Sequence, residues 1–357
     1  MCDSPGGARV LNVTNSVIPQ TQHAAVRDGS GPDTKVSVKT IPVPRPAPHQ
    51  ILVKINWSGL CASDKCLLGD EYVAYSTTPL IASSTLGIAG HEGAGVVVAI
   101  ESTCGVCEMC SNGLDEAHCP SAVYHAVEVA GTFQEYCVTD RRYTTKIPDR
   151  VADEEAGPII CGGYSAYAAC KRTAAKPGKW LVILRAGGGV GHFALQYAKI
   201  MGMRVIAIDG GKEKKEMCRM LGAEKFINFS NDVVAEVMRI TTYGAQGVLV
   251  AAPPQAAYDL APLTLQVHGT IVVRSACYSE IPTVVAGSSA ALILSKRLSI
   301  VGSLVSSKRE ADEALDFAAR GLLRPVLTKG TLHNVDRFCD LLQAGKVPRR
   351  VVLQVST

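Results

Sequence analysis

The sequence contains no long uninterrupted hydrophobic run, no large excess of one charge and no internal repeat. Its longest uncharged stretches, "YVAYSTTPLIASSTLGIAG" and "IPTVVAGSSAALILS", are interrupted by Pro, Gly, Ser and Thr, so neither predicts a membrane span. The net charge is only +4 and the basic residues are dispersed, so we expect no binding to nucleic acid or to a membrane surface. The opening residues, "MCDSPGGARV", contain an acid and lack an apolar segment, which argues against a secretory signal. We therefore expect a cytoplasmic protein.

The composition favours a packed α/β protein with two domains. The chain has 357 residues, which is long for one domain and suggests two. Hydrophobic residues make up 47% of the chain and glycine occurs 33 times. These values are typical of well-packed α/β proteins and not of disordered or fibrous ones.

The segment "CGVCEMCSNGLDEAHC" places four of the thirteen cysteines in one short polar loop. In a reducing compartment, cysteines are more often thiols or metal ligands than disulfides. The spacing C-x2-C-x2-C-x8-C suits tetrahedral zinc held by Cys104, Cys107, Cys110 and Cys119, and a redox relay or unconnected thiols are the alternatives. Zinc with four protein ligands has no open position, so such an ion would be structural.

A second motif, "WLVILRAGGGVGHFALQYAKIMGMRVIAID", predicts a dinucleotide-binding unit. A buried strand, a glycine cluster, apolar residues at helical intervals, a second strand and Asp209 follow one another. The glycine turn lets the backbone approach a pyrophosphate at the helix amino terminus, and a tight turn without a ligand is the alternative. Asp209 would accept hydrogen bonds from ribose hydroxyls and repel a 2′-phosphate, which favours NAD(H) over NADP(H).

The rest of the chain divides into a β-rich part and an alternating α/β part. Residues 1–34 are polar and predict an irregular segment. From residue 35, alternating apolar and polar residues predict antiparallel strands on both sides of the cysteine loop. Beyond Pro148, helical patterns and apolar runs alternate to about residue 304, and a helix and a last strand close the chain.

Three further candidate metal ligands, Cys61, His91 and Cys161, are too far apart for spacing to connect them. They lie in "GLCASDKC", "AGHEGAG" and "GPIICGGYSAY". Together with the cysteine loop and with "GTFQEY", "LQYAK", "RVIAIDGG" and "EALDFAARGL", these segments resemble the zinc-containing alcohol dehydrogenases of the medium-chain dehydrogenase/reductase superfamily. The likeness runs from about Ile18 to the end of the chain and is nearest to the tetrameric microbial branch.

The resemblance implies a role for each matching residue. Cys61, His91 and Cys161 are the expected ligands of a catalytic zinc, and Glu92 lies near the metal and could ligate it transiently. Asp64 would orient the histidine, and Ser63 would take the alcohol proton. The expected nucleotide contacts are Ala186, Gly187, Gly188, Gly189, Val190 and Gly191 for the pyrophosphate turn, Asp209 and Lys214 for the ribose, and Arg349 for the pyrophosphate.

The implied fold is a GroES-like β-barrel catalytic domain with a Rossmann domain, a doubly wound parallel sheet, inserted in it. The expected boundaries are 35–160 and 305–357 for the catalytic domain and 161–304 for the Rossmann domain. The implied reaction interconverts an alcohol and its aldehyde or ketone, with zinc as the Lewis acid and hydride passing to or from the nicotinamide. The implied cofactors are one catalytic and one structural Zn²⁺ and NAD(H), in a homotetramer or homodimer.

Several positions depart from the family pattern. Ala62 and Cys66 replace two histidines, one that contacts the cofactor phosphates and one that completes a proton relay. Arg274 and Ser275 replace an apolar residue and a glycine where the cofactor normally lies, and Arg185, just before the turn, could contact a phosphate or be solvated. The segment before Cys104 is short, whereas "YVAYSTTPLIASSTLG" lengthens the stretch between Cys61 and His91.

These departures keep two alternatives open. One is a reductase of the same superfamily that acts on an enone or quinone and tailors a specialised metabolite. The other is a non-catalytic, zinc-stabilised protein that binds a nucleotide.

Overall fold

The computed structural model describes residues 18–29, 31, 33–69, 83–95, 100–111, 116–275, 284–285, 290–305, 307–347 and 349–356. The strands are β1 Thr21–Asp28, β2 Lys35–Pro42, β3 Gln50–Lys54, β4 Trp57–Leu60, β5 Gly93–Ala94, β6 Ile100–Ser102, β7 Val123–Tyr124, β8 Tyr136–Asp140, β9 Trp180–Leu184, β10 Arg204–Asp209, β11 Lys225–Asn228, β12 Ala245–Val250, β13 Leu265–Val273, β14 Ser299–Gly302, β15 Leu327–Thr331 and β16 Arg350–Gln354.

The helices are α1 Ala62–Leu68, α2 Glu108–Ser111, α3 Asp153–Pro158, α4 Tyr164–Arg172, α5 Gly191–Ile200, α6 Lys212–Met220, α7 Val233–Thr241, α8 Gln255–Leu260, α9 Ala290–Lys296, α10 Lys308–Ala319 and α11 Val335–Gln343. A π-helical turn, Ile159–Gly163, joins α3 to α4. Within the described ranges, no helix is both long enough and apolar enough to cross a bilayer.

The middle of the chain forms a six-stranded parallel sheet with the order β11-β10-β9-β12-β13-β14. All five residues of the central strand β9 are buried, and they alternate between two apolar clusters on opposite faces of the sheet. Burial on both faces explains why this strand is a continuous apolar run, as is usual for parallel sheets. The strand order is that of the Rossmann fold, so the predicted doubly wound sheet is confirmed.

The β-rich part is built from smaller sheets. A four-stranded sheet has the order β15-β16-β4-β5, and β1-β2, β3-β8 and β6-β7 form antiparallel pairs. The prediction of an irregular segment up to residue 34 is wrong for Thr21–Asp28, because these residues form β1 and pair along their full length with β2. Their small and polar side chains gave no strong strand pattern, although Ala24 and Ala25 are fully buried.

The chain returns to the β-rich part after the parallel sheet, and this return helps to form the site. Strand β16 pairs antiparallel with β4, and Val351 lies opposite Leu60. Strand β4 also pairs antiparallel with β5, so the end of β4 lies next to the residues that precede β5. The predicted insertion between Cys61 and His91 lies largely outside the described residues, as do residues 96–99 of the shortened segment.

Candidate active site

Cys61, His91 and Cys161 belong to three separate elements that meet at one point. Cys61 is the N-cap residue of α1, His91 lies just before β5, and Cys161 lies in the π-helical turn. The Cys161 Sγ atom lies 4.0 Å from Cys61 Sγ and 3.4 Å from His91 Nε2. With one carboxylate oxygen of Glu92, the four ligand atoms all lie within 4.8 Å of one another.

Hydrogen bonds to Asp64 position this cluster. Its carboxylate is fully buried, and it accepts hydrogen bonds from the backbone N–H groups of Cys61, at 2.8 Å, and of Gly90, at 3.0 Å. His91 Nδ1 lies 3.0 Å from Asp64 Oδ1 and donates its proton there. The hydrogen bond orients the ring, so that Nε2 faces the two thiols.

Ser63 lies at the same cluster, on the first turn of α1. Its Oγ is 3.4 Å from His91 Nε2, so the hydroxyl lies beside the point on which the ligand atoms converge. Cys66 follows one helical turn later, on the same side of α1, and its thiol is partly exposed. Ser63 is therefore positioned to exchange a proton with a molecule bound at the cluster. The Cys66 thiol lies one turn further along α1.

Glu92 and Arg350 form a buried ion pair beside the cluster. Glu92 is fully buried, Arg350 is 5% exposed, and an Nη2 atom of the arginine contacts Glu92 Oε1. His91 Nε2 lies 3.8 Å from the same oxygen. The strand register explains the contact, because Arg350 is the first residue of β16, next to the end of β4, and Glu92 directly precedes β5.

Burial and charge perturb the titration of all three candidate ligands. The hydrogen bond between the thiols lowers the pKa of Cys61 well below its usual value, and the same bond together with burial raises that of Cys161. Burial acts to lower the pKa of His91, but the charge and hydrogen bond of Asp64 outweigh it and raise the pKa to about 10. The cluster therefore favours one thiolate beside a charged imidazole, and a metal ion would displace the imidazole proton.

The donor set fits zinc. Two sulfur atoms and one imidazole nitrogen are the ligands that Zn²⁺ prefers, and three protein ligands are the number found at catalytic zinc sites. Asp64 supplies the carboxylate that orients a ligating histidine. With zinc bound, Cys61 and Cys161 would each bond to the metal as thiolates instead of hydrogen-bonding to one another.

The four cysteines of the polar loop also come together. Cys110 Sγ lies 3.5 Å from Cys107 Sγ and 3.9 Å from Cys104 Sγ, and all four sulfur atoms lie within 4.8 Å of one another. Backbone N–H groups of Val106 and Cys107 donate to the Cys104 sulfur and lower its pKa to about 6. Four converging thiols, one of them readily ionised, suit a closed tetrahedral zinc site.

The predicted nucleotide turn lies between β9 and α5, where the backbone is tightly packed. A Cβ atom on Gly191 would collide with the carbonyl oxygen of Arg185 and would lie 2.7 Å from Ala186 Cα. Only glycine fits this close approach, and helix α5 begins at the same residue. The close packing brings the backbone of the turn to the amino end of α5, where the helix dipole favours an anion such as a pyrophosphate.

Asp209 and Lys214 lie beside this turn. The carboxylate of Asp209 accepts hydrogen bonds from the Gly187 and Gly210 N–H groups, both at 2.8 Å, and from Lys214 Nζ at 2.9 Å. Asp209 therefore ties the end of β10 to the glycine turn. Its acidic side chain is held where the sequence predicts the ribose.

The two neighbouring arginines near the carboxyl end differ in their surroundings. Arg349, which was the predicted pyrophosphate contact, is half-exposed and pairs with Glu213 at 3.3 Å. Arg350 lies against the turn instead, since a Cβ atom on Gly189 would be 3.2 Å from its Nη1. Sequence reasoning missed Arg350, and the only signal for it was that a buried Glu92 needs a cationic partner.

Comparison with known proteins identifies the family. Residues 47–149 match the family model described as "Alcohol dehydrogenase GroES-like domain", and residues 189–320 match "Zinc-binding dehydrogenase". Alcohol dehydrogenase 1 of Emericella nidulans is 34% identical over 363 residues, which cover 95% of this chain and 99% of that protein. The chain belongs to the zinc-containing alcohol dehydrogenase family. The resemblance inferred from the motifs is thereby confirmed.

Other comparisons agree with this membership. The alcohol dehydrogenase of Schizosaccharomyces pombe is 35% identical to this alcohol dehydrogenase family member over 359 residues, which cover 95% of the chain and 99% of the relative. A solved NAD-dependent alcohol dehydrogenase matches with a TM-score of 0.81 and 26% identity, over 94% of this chain and 100% of that chain. The protein is accordingly an oxidoreductase of the alcohol dehydrogenase type.

Proposed function

We propose that this alcohol dehydrogenase family member interconverts an alcohol and its aldehyde or ketone, with NAD(H) as the hydride carrier. The observation that supports this most is the convergence of Cys61, His91, Cys161 and Glu92, whose ligand atoms lie within 4.8 Å of one another. The pair of Glu92 and Arg350 connects this cluster to the nucleotide turn. Metal ligands and cofactor contacts thus belong to one continuous site.

The proposed catalytic zinc is held by Cys61, His91 and Cys161. When bound, zinc polarises the oxygen of the alcohol or carbonyl and lowers the pKa of the alcohol. Asp64 fixes the imidazole, and the buried Glu92 lies close enough to approach the metal or to remain with Arg350. The Ser63 hydroxyl accepts the alcohol proton and, with Cys66 in place of the relay histidine, passes it to the cofactor ribose or to water.

A second, structural zinc at Cys104, Cys107, Cys110 and Cys119 is part of the proposal. Its four ligands leave no open position, so its role is to hold the loop in its fold. The apolar side chains of Val106 and Met109 add little packing to the loop, since they are 82% and 40% exposed. The expected content is therefore two zinc ions per chain.

NAD(H) is the proposed cofactor because of the residues around the turn. Asp209 carries a negative charge where a 2′-phosphate would have to lie, although Lys214 neutralises part of it. The glycines from Gly187 to Gly191 admit the pyrophosphate, and Arg350 takes the role predicted for Arg349. The matching solved structure is described as NAD-dependent, in agreement with this choice.

The predicted boundaries, assembly and location are retained as parts of the proposal. Residues 35–160 and 305–357 form the catalytic domain, to which β1 adds a strand through its pairing with β2, and residues 161–304 form the Rossmann domain. A homotetramer or homodimer in the cytoplasm is expected. Sedimentation equilibrium of the purified protein tests the assembly, and cell fractionation tests the location.

The experiment that tests the function combines a metal count with an activity assay. Purified protein is analysed for zinc, and NADH absorbance is followed with a panel of alcohols, aldehydes and enones. Two zinc ions per chain and turnover of alcohols or aldehydes are expected. Activity confined to enones would instead support the enone reductase, and NADH binding without turnover would support a non-catalytic protein, although no observation in the described residues favours either.

A further inference from the structure

Arg185 begins the nucleotide turn in a backbone conformation that favours glycine. It directly follows β9, and its φ of 60° lies in the left-handed region, which residues other than glycine adopt only at a cost. Its carbonyl oxygen accepts a hydrogen bond from the Gly188 N–H at 3.0 Å, so the residue is part of the turn itself. Arginine is therefore present at a position that glycine would occupy without strain.

The side chain of Arg185 folds back over the turn. A Cβ atom added to Gly188 would lie 3.1 Å from Arg185 Cγ and 3.3 Å from Arg185 Nε. The arginine side chain thus packs where Gly188 has no side chain, and Arg185 as a whole is only partly buried. Its charged group therefore lies beside the backbone that borders the pyrophosphate in the proposed function.

The three glycines at 187–189 each have a basic side chain beside them. Cβ atoms added at these positions would lie 3.2 Å from Lys214 Cδ, 3.3 Å from Arg185 Nε and 3.2 Å from Arg350 Nη1, in chain order. Lys214 lies on the side where the ribose is proposed, and Arg350 lies on the side of the metal-ligand cluster. Arg185 is next to the middle glycine, where the two phosphates would pass.

Arg185 differs from the other two basic residues in its lack of an acidic partner. Lys214 pairs with Asp209 at 2.9 Å, and Arg350 pairs with Glu92. Arg185 forms no ion pair with any residue of the described ranges. Its positive charge can therefore pair with an anion that binds at the turn, without first leaving a carboxylate.

We propose that Arg185 binds the pyrophosphate of the dinucleotide. This inference rests on the proposed function, because it requires NAD(H) at the glycine turn. A guanidinium donates two parallel hydrogen bonds to phosphate oxygens, which fixes the position of the phosphate as well as neutralising its charge. The contact also gives a reason for a strained arginine at this position, since such strain is concentrated at functional sites. Arg274 also lacks an ion pair within the described ranges, so the contact with the turn, and not the missing partner, distinguishes Arg185.

The first test is the affinity of the purified, zinc-loaded protein for NADH, measured by fluorescence titration. Arg185→Met should weaken binding roughly 10- to 100-fold, as expected for the loss of hydrogen bonds between charged groups. Arg185→Lys should weaken it less, because the charge remains while the paired donors are lost. The matched control is Arg349→Met, which removes the same charge from a half-exposed residue paired with Glu213. Solvent screens that charge, so the affinity should change by less than about threefold.

Nucleotide fragments locate the contact. Equilibrium dialysis compares ADP, which contains the pyrophosphate, with adenosine, which lacks it, on the wild type and Arg185→Met. The wild type should bind ADP more tightly, and the variant should lose roughly 10-fold or more of that preference while its affinity for adenosine stays the same. An equal loss of affinity for both fragments would assign the effect to the adenosine part of the site and overturn the inference.

Arg185→Gly separates the guanidinium from the shape of the turn. Glycine adopts a φ of 60° readily, so thermal unfolding should occur at the temperature of the wild type or higher. NADH affinity should nevertheless fall by as much as in Arg185→Met, because both variants lack the guanidinium. Wild-type affinity in Arg185→Gly would show that binding needs only the turn, and a raised affinity would show that the arginine obstructs the phosphates. Either result would overturn the inference.

The same measurements keep this inference separate from the proposed function. Binding of NADH and ADP that depends on Arg185, without turnover of any alcohol or aldehyde, would refute the proposed reaction and support the pyrophosphate contact. Turnover with NADH that binds equally tightly to the wild type and Arg185→Met would refute the contact alone. In a parallel titration with NADPH, a loss confined to that cofactor would assign Arg185 to the 2′-phosphate and likewise refute the contact.

Discussion

The carboxylate of Glu92 and the guanidinium of Arg350 form a buried ion pair between the metal-ligand cluster and the nucleotide turn. Glu92 Oε1 lies 3.8 Å from His91 Nε2 on one side. On the other side, Arg350 packs against Gly189. Each charge is desolvated and is stabilised mainly by its partner. The pair therefore links the two halves of the proposed active site.

Removing one member of this pair should destabilise the protein strongly. Arg350→Met leaves the Glu92 carboxylate buried without a cation, and loss of one partner of a buried ion pair costs about 3–5 kcal/mol. Urea unfolding should report this decrease in the free energy of unfolding, and Glu92→Gln combined with Arg350→Met should recover part of it. The matched control is Arg349→Met, whose exposed pair with Glu213 should contribute less than about 1 kcal/mol. Equal effects of the two arginine variants would contradict the structural assignment.

Asp64→Asn should weaken one of the two proposed zinc sites. The asparagine side chain is neutral, so it accepts the hydrogen bond from His91 Nδ1 more weakly than the Asp64 carboxylate does. Loss of a carboxylate that orients a ligating histidine typically lowers metal affinity about 10- to 100-fold. Chelator competition followed by zinc analysis should show one ion lost early and one retained. Cys107→Ser provides the converse, because it should release the ion of the cysteine loop and keep the other. Loss of both ions in either variant would argue against two independent sites.

Gly191→Ala should impair NADH binding because the turn has no space for a methyl group. The added Cβ would collide with the Arg185 carbonyl oxygen, so the backbone that borders the pyrophosphate would have to shift. We expect at least a roughly 10-fold weaker NADH affinity, measured by fluorescence titration. Gly302→Ala is the matched control, since a Cβ at Gly302 meets nothing within 4 Å. Unchanged affinity in Gly191→Ala would exclude this turn as the nucleotide site.

The buried His192 should cause the free energy of unfolding to fall in mild acid. Burial lowers its pKa from 6.5 to about 4, and hydrogen bonds to Gly188 only partly oppose this. The native state therefore keeps His192 neutral while the unfolded chain takes up a proton, and stability falls as the pH drops from 6.5 towards 4, by up to roughly 3 kcal/mol.

The measurement is urea unfolding of the wild type and His192→Asn between pH 7.5 and 4.5. Asparagine cannot titrate, so the difference in unfolding free energy between the two proteins should shrink as the pH falls. A difference that stays constant across this range would show that His192 titrates alike in both states. Other acid-sensitive groups, including the thiols, are common to both proteins and cancel in the comparison.

The Rossmann half of the fold was predictable because its signals are local. A buried strand, a glycine turn and a helix follow within one short segment, and the structure has β9, α5 and β10 at these places. Strand β1 was not predictable, because its alternating residues are small or polar and its partner β2 decides its conformation. The pairing is a property of two segments, and the strand pattern of β1 alone is weak.

The candidate site was predictable only through the family resemblance. Cys61, His91 and Cys161 are brought together by the pairing of β4 with β5 and by the π-helical turn, and no spacing rule contains that geometry. The choice between Arg349 and Arg350 depends on the register of β16, which places one side chain in the interior and the other at the surface. Adjacent identical residues carry no sequence signal that distinguishes them.

The central claim is that Cys61, His91 and Cys161 share one zinc ion beside the bound dinucleotide. The most direct measurement is anomalous diffraction at the zinc absorption edge from crystals grown with NADH. The account predicts an anomalous peak about 2.3 Å from the two sulfur atoms and about 2.0–2.1 Å from His91 Nε2, with the nicotinamide next to it. A zinc signal confined to the cysteine loop, with these three side chains uncoordinated, would contradict it.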